Sequence, residues 1–352
     1  MERRDLFRAA GLLATAPLLG TATAPLLGGA AQAAGSGKKY TFVHILWGMS
    51  DANVQFHVKA GEAYMASHPN VEIKFVGPEN YDPAEHAKFL DTTINAKPDG
   101  IAMHISSADA LLPGLKAAKE AGIPFVSVTS HPPGAEDNAK LEGLYLAWVG
   151  ANEELIGGVM AKRLLQDLPE PKRVAYLFAH TGHAGHEQRA AGFFAAMPAG
   201  TQTDKVVTGE EPQAAKDAIR AYLTANADVG AVFGSTPANK WWADVVDELG
   251  RNDIKYLTSD DAPSSLEAIK SGYCLATFTQ QFPIQGPFAY EILFNYKETT
   301  MAPVAPIITG PAVVDTSNVD TFKTQVTAVF GEDGYADLNP FCSMARGGGS
   351  AP

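Results

Sequence analysis

Cysteine is nearly absent: Cys274 and Cys342 are the only two in 352 residues. Two thiols so far apart form no Cys-x-x-Cys redox pair and no cysteine-based zinc or haem site, while a disulfide between them stays open. Positive charge is scarce as well, with 27 Lys and Arg against 39 Asp and Glu and a formal net charge of −12. That balance disfavours nucleic acid and anionic membranes as partners, though it says little about a buried site. No Gly-x-Gly-x-x-Gly follows any strand pattern, which removes the usual dinucleotide cradle. What is present is a 46% hydrophobic chain, long enough to bury a substantial core and better suited to two domains than to one.

The first 33 residues stand apart. Arg3-Arg4-Asp5-Leu6-Phe7-Arg8 precedes an uncharged run over residues 9–31, which leads into Ala31-Gln32-Ala33. Paired arginines, a mildly apolar middle and a small-x-small site read as a twin-arginine export signal cleaved near Ala34, hence a periplasmic protein. The run has the length of a membrane span, but Pro17, Pro25 and several glycines argue against a permanent anchor. Removing residues 1–33 leaves 24 basic against 37 acidic residues, a net charge of −13.

Beyond the signal the chain is organised around residues 40–68. An apolar run over 40–46 breaks into the polar loop Trp47-Gly48-Met49-Ser50-Asp51-Ala52-Asn53, and helix-spaced Phe56, Ala60, Ala63 and Tyr64 follow. This is strand, turn, helix. The unit recurs, with strands expected over residues 71–76, 100–103, 124–129 and 145–150, and helices over 83–96, 108–121 and 152–167. Asp82-Pro83 is an N-cap signal for the first of these helices. Pro169-Glu170-Pro171 then separates a second series, with strands over 173–179, 204–207, 230–233, 255–257 and 275–279. Alternating strands and helices make parallel sheets. The expected fold is therefore α/β, with two Rossmann-like lobes joined by a three-segment hinge. Residues 38–150 and 282–310 form the first lobe, 151–281 and 311–330 the second, and 331–352 a flexible tail.

In such sheets ligands sit beyond the carboxyl ends of the strands. The residues placed there are Trp47, Ser50, Asp51, Asn53, His104, Ser130, His131, His183, Arg189, Ser235, Thr236, Asn239, Asp260, Asp261 and Gln281. Carboxylates and amides take hydroxyls, Arg offers a planar fork, and aromatic faces stack on C–H surfaces, so the mixture suits a polyhydroxylated ligand. No nucleophile, base and orienter set accompanies them, and no enzyme activity is expected. His180, His183 and His186 recur every third residue, but no carboxylate or fourth ligand stands at a defined spacing. No metal and no cofactor is expected. Trp241 and Trp242 are adjacent on a helix and point apart, so at least one belongs to the core.

The chain resembles the type I periplasmic solute-binding proteins of sugar ABC importers, the ribose and galactose binding group that shares its fold with LacI-type repressors. Four motifs carry the resemblance over about residues 39–315. Val149-Gly150-Ala151-Asn152-Glu153 with Gly157 is similar to Val-Gly-x-Asp-Asn-x-x-x-Gly, and Arg189-Ala190-Ala191-Gly192-Phe193 to Arg-x-x-Gly-Phe. Thr258-Ser259-Asp260 is similar to Gly-Phe-Asp, and Leu275-Ala276-Thr277 runs into Gln280-Gln281-Phe282-Pro283. The resemblance implies that Arg189 clamps ligand hydroxyls, that Asp260 accepts them and that Gln281 reaches in near the hinge. It places Asn53, His104, Thr236 and Asn239 on or beside contact positions. Ribose-type members carry Asp-Arg where this chain has Ser130-His131, which argues against ribose or a simple hexopyranose and leaves open a different polyol, a deoxy or modified sugar, or a small non-sugar polar ligand. The implied protein is a monomeric receptor that hands a small polar ligand to the membrane permease of an ABC transporter. Presentation to a chemoreceptor or sensor kinase, an exported oxidoreductase and a transcriptional regulator are the alternatives. The regulator is opposed by an export signal where a helix-turn-helix would stand.

Overall fold

The structure, a computed structural model, describes residues 37–105, 107–129, 139–209 and 211–337. The expected export signal, Ser130, His131 and Cys342 lie outside the described residues. The first sheet contains β1 (Tyr40–Ile45), β2 (Val71–Val76), β3 (Gly100–Met103), β4 (Phe125–Val128), β5 (Ala147–Gly150) and the late strand β11 (Ile307–Ile308). Its order is β11-β5-β4-β3-β1-β2, every pairing parallel. Its inner strands β3 and β4 are buried on both faces, whereas the edge strand β2 alternates, with Glu72 and Lys74 exposed. Helices α1 (Ala52–Ser67) and α9 (Phe282–Thr299) cover the face that carries Tyr40, Phe42, Ala102, Val126 and Val128. The alternate residues Val43, Ile45, Ile101, Met103 and Phe125 pack against α2 (Pro83–Asn95) and α3 (Ala108–Glu120). Asp82 caps α2 as expected, its Oδ1 accepting from the backbone N–H groups of Ala84 at 2.8 Å and Glu85 at 3.0 Å.

The second sheet repeats the plan with β6 (Arg173–Phe178), β7 (Gln202–Val207), β8 (Val229–Gly234), β9 (Lys255–Leu257), β10 (Ala276–Thr279) and β12 (Ala312–Asp315). Its order is β12-β10-β9-β8-β6-β7, parallel except for the antiparallel pair β10–β12. Tyr176, Phe178, Phe233 and Phe278 meet α4 (Glu153–Asp167) and α5 (Ala184–Ala195) on one face. Leu177, Val232 and Tyr256 meet α6 (Pro212–Ala225), α7 (Asn239–Leu249) and α8 (Pro263–Lys270) on the other, where Trp242 stacks on Tyr256.

The chain passes between the sheets three times: from β5 into α4, from β10 into α9, and from β11 into β12. Buried polar groups tie these passages together. Gln285 donates through Nε2 to Gln280 O at 2.8 Å and to Thr309 Oγ1 at 3.1 Å, while its Oε1 accepts from Thr129 Oγ1 at 2.9 Å. Thr309 Oγ1 itself donates to Gln280 O at 2.8 Å.

The expected tail begins too early. The last helix among the described residues, α10 (Val319–Asp337), continues past a break at Gly331, where φ is 77°. Tyr335 is buried and donates to Glu267 Oε1 at 3.1 Å, and Phe330 meets Phe56 with ring centroids 4.7 Å apart. An apolar face reaching Tyr335 keeps these residues packed where composition alone indicated a loose end.

Candidate ligand-binding cleft

The carboxyl ends of both sheets face one another across a cavity of about 320 Å³. Each strand end contributes. Trp47, Ser50, Asp51 and Asn53 follow β1, Asn80 and Tyr81 follow β2, His104 follows β3 and Thr129 follows β4. From the other side come Glu153 of α4, the loop and helix residues His180, His183, His186 and Arg189, then Ser235, Thr236 and Trp241 after β8, Asp260 after β9 and Gln280 after β10.

Asp51 is the N-cap of α1. Its Oδ1 accepts from Asn53 N at 2.8 Å and its Oδ2 from Trp47 Nε1 at 2.6 Å, so one carboxylate fixes both the helix start and the indole. Asn53 reaches across and donates through Nδ2 to Asp260 Oδ2 at 3.3 Å, leaving its Oδ1 buried without a protein partner. Gln280 Nε2 donates to Asp260 Oδ1 at 2.8 Å. Burial pushes the Asp260 carboxyl up to about 7, against the pull of Arg189 and Gln280. Thr129, Asp260 and Gln281 hold φ of 71°, 63° and 59°, a left-handed backbone that side-chain-bearing residues seldom adopt, all three just past strand ends and the first two lining the cleft. Backbone strain of this kind is held where a site needs it.

Arg189 is 2% exposed and fully engaged. Its Nε donates to Glu153 Oε2 at 2.8 Å, and Nη1 donates to Ser235 O at 3.0 Å and Ser259 Oγ at 2.8 Å. The guanidinium carbon sits 4.7 Å from the centroid of the Phe278 ring. It faces the cavity already paired with Glu153, and its charge also reaches Asp260.

Eight of the twelve principal expected positions line the cleft, namely Trp47, Asp51, Asn53, His104, His183, Arg189, Thr236 and Asp260, and Ser50 and Ser235 join them from the wider set. Two expectations are corrected. Gln281 is exposed and lines a separate hollow of about 400 Å³ behind the hinge, together with Asp261. Its left-handed backbone turns the side chain out and leaves Gln280 facing the ligand space. Asn239 is buried behind the cleft wall, donating through Nδ2 to Ser265 Oγ at 3.2 Å and Ser264 Oγ at 3.4 Å. Residues not singled out as contacts also line the cavity, among them Tyr81, Glu153, His180, His186 and Trp241. Glu153 stood within a quoted motif and could have been found as the partner of Arg189.

Substitution separates the two neighbouring glutamines. Gln280→Ala should weaken ligand binding at least about tenfold, the worth of one charge-assisted hydrogen bond network, while Gln281→Ala should change it less than about twofold. Calorimetric titration of both variants checks the assignment, and equal effects would reject it.

A two-lobed α/β protein with a polar cavity closed between strand carboxyl ends is a binding protein in architecture. Residues 23–299 match the periplasmic binding protein domain, and the chain belongs to that family. It is similar to a xylose/arabinose-binding protein of Sulfolobus acidocaldarius, 25% identical over 266 residues that cover 71% of this chain and 64% of the relative. The chain thus spans just under two thirds of that relative's length. Among solved structures it is similar to a carbohydrate transporter from Acidothermus cellulolyticus in complex with myo-inositol, with a TM-score of 0.73 at 24% identity over 84% of this chain and 99% of the other. An ABC transporter solute-binding protein from Burkholderia graminis in complex with D-arabinose gives 0.72 at 21% identity over 80% and 97%. These two structures share the fold of both lobes.

Proposed function

We propose that the protein is an extracytoplasmic receptor of an ABC importer that takes a neutral monosaccharide or polyol between its lobes. The observation that carries this reading is the cavity itself: about 320 Å³, lined from both sides by hydrogen-bonding groups and aromatic rings. That volume is at the lower end of the roughly 300–1,000 Å³ typical of small-molecule sites, which favours one sugar ring over an oligosaccharide. With Arg189 already paired to Glu153 and Asp51 and Asp260 facing the space, an anionic solute would meet carboxylates and no free cation among the described residues. Relatives in complex with myo-inositol and D-arabinose support the polyol class. The ligand touches both lobes and so stabilises the closed form, the surface a permease would recognise. Export by the twin-arginine route and a monomeric state belong to the same proposal.

Thermal-shift screening tests it. A neutral pentose, hexose or inositol at about a hundred times its dissociation constant should add about 2.7 kcal/mol and raise Tm by several degrees. The matching uronic acid should give no shift. Absence of a shift with every neutral polyol would reject the reading.

A further inference from the structure

The cleft is unusually rich in imidazole. The His104 ring, at the end of β3, and the His183 ring, at the start of α5, approach each other from opposite lobes with centroids 5.4 Å apart. Both line the cavity. The two ring nitrogens of His104 are buried with no protein partner, whereas His183 Nδ1 accepts from the His186 N–H at 3.4 Å and caps α5. That cap requires an unprotonated Nδ1, and a positive charge there would sit at the positive end of the helix dipole.

We propose, building on the receptor reading above, that His104 and His183 hold the solute as neutral imidazoles and make its retention conditional on pH: protonating either one opens the cleft and releases the ligand. The surroundings favour this. His104 is faced by His44 of β1, His57 of α1, His86 of α2 and His183, with Trp47 edge-on at 5.6 Å. His183 is faced by His180, His186, His86, Arg189 and Tyr81. The remaining charged groups on the cavity wall are Asp51, Glu153 and Asp260. Burial, reinforced by His180 and Arg189, pushes His183 down to about 3, and burial followed by His183 holds His104 well below its ordinary 6.5.

The sign follows from linkage. Above pH 6.5 neither state carries the proton, so the closed form loses nothing. Below it the open cleft accepts a proton that the closed cleft refuses, and affinity falls about tenfold per pH unit for each such histidine. Asp260 acts in the opposite sense, because closure raises its carboxyl and takes up a proton below about 7. Two histidines against one aspartate leave a net loss of about tenfold per unit.

Calorimetric titration of the full chain with myo-inositol, D-arabinose and D-xylose from pH 8 to pH 5 decides the matter. Binding at pH 8 that weakens about tenfold per unit below 6.5, that steepens in Asp260→Asn and that reverses in the His104→Gln, His183→Gln double variant, where Asp260 alone strengthens binding as pH falls, supports the inference. Binding that persists unchanged to pH 5, or a double variant with the wild-type slope, overturns it and leaves the receptor reading standing. No binding at any pH overturns the receptor reading, and this inference with it.

Discussion

Replacing Arg189 by Met should cost about 3–5 kcal/mol of stability, the range for breaking a buried ion pair by removing one partner. Glu153 is 2% exposed and would keep an uncompensated carboxylate inside the second lobe, and the Ser235 carbonyl would lose its donor. Glu153→Leu should cost a comparable amount for the mirror reason, since the guanidinium would remain buried over Phe278 without its counter-ion. The double variant Arg189→Met, Glu153→Leu should recover much of the loss, because desolvating neither charge removes the penalty along with the attraction. Urea denaturation at pH 7.5 of the four proteins gives the cycle. Single losses below about 1 kcal/mol would mean that the pair behaves as an exposed one, in conflict with its burial. Ligand binding should be lost in all three variants, even in the double variant whose fold is restored. A separation of this kind distinguishes a pair that builds the cleft wall from one that only holds the lobe together.

Much of the fold was legible because both faces of each sheet are covered. Strands buried on two sides become short apolar runs punctuated by Gly, Pro and Asp, as at residues 100–103, while the edge strand 71–76 shows alternation with Glu72 and Lys74 exposed; both, and 255–257, emerge with the bounds expected. Helix α10 was not legible in the same way. Phe322, Val326 and Val329 do recur at helical spacing, but Thr324 and Thr327 between them and Gly331 and Gly334 beyond them dilute the pattern, and the helix is held by packing on Phe56 and Glu267 from distant elements.

At the site, local chemistry was readable and convergence was not. Asp51 and Asn53 followed from a polar loop after an apolar run. The choice between Gln280 and Gln281 depended on a left-handed residue just past β10, which spacing does not reveal. The histidines show the limit most clearly. His180, His183 and His186 were visible as a run, yet the approach of His104 comes from parallel sheet order placing β3 and β6 ends opposite one another.

The glycines of two quoted motifs lead to the second large effect. A Cβ on Gly157 would lie 2.1 Å from Arg189 O and 2.5 Å from Phe193 N, and one on Gly192 would lie 2.0 Å from Glu154 O. Every one of those atoms is backbone, so no side chain can swing aside; α4 and α5 would have to separate. Gly157 is one turn beyond Glu153, and Gly192 follows Arg189 by three residues, so the close approach of the two helices sets the ion pair. Gly157→Ala and Gly192→Ala should each cost about 3 kcal/mol, the upper part of the range for overpacking, and should weaken ligand binding by loosening the pair. Gly158 supplies the contrast: its Cβ would meet nothing nearer than Gly192 O at 3.9 Å. Gly158→Ala should be neutral or stabilise by up to about 1 kcal/mol through helix propensity alone. Thermal and urea unfolding of the three single variants provide the check, and a Gly158→Ala variant as damaged as Gly157→Ala would show that the helix contact is not what these glycines protect.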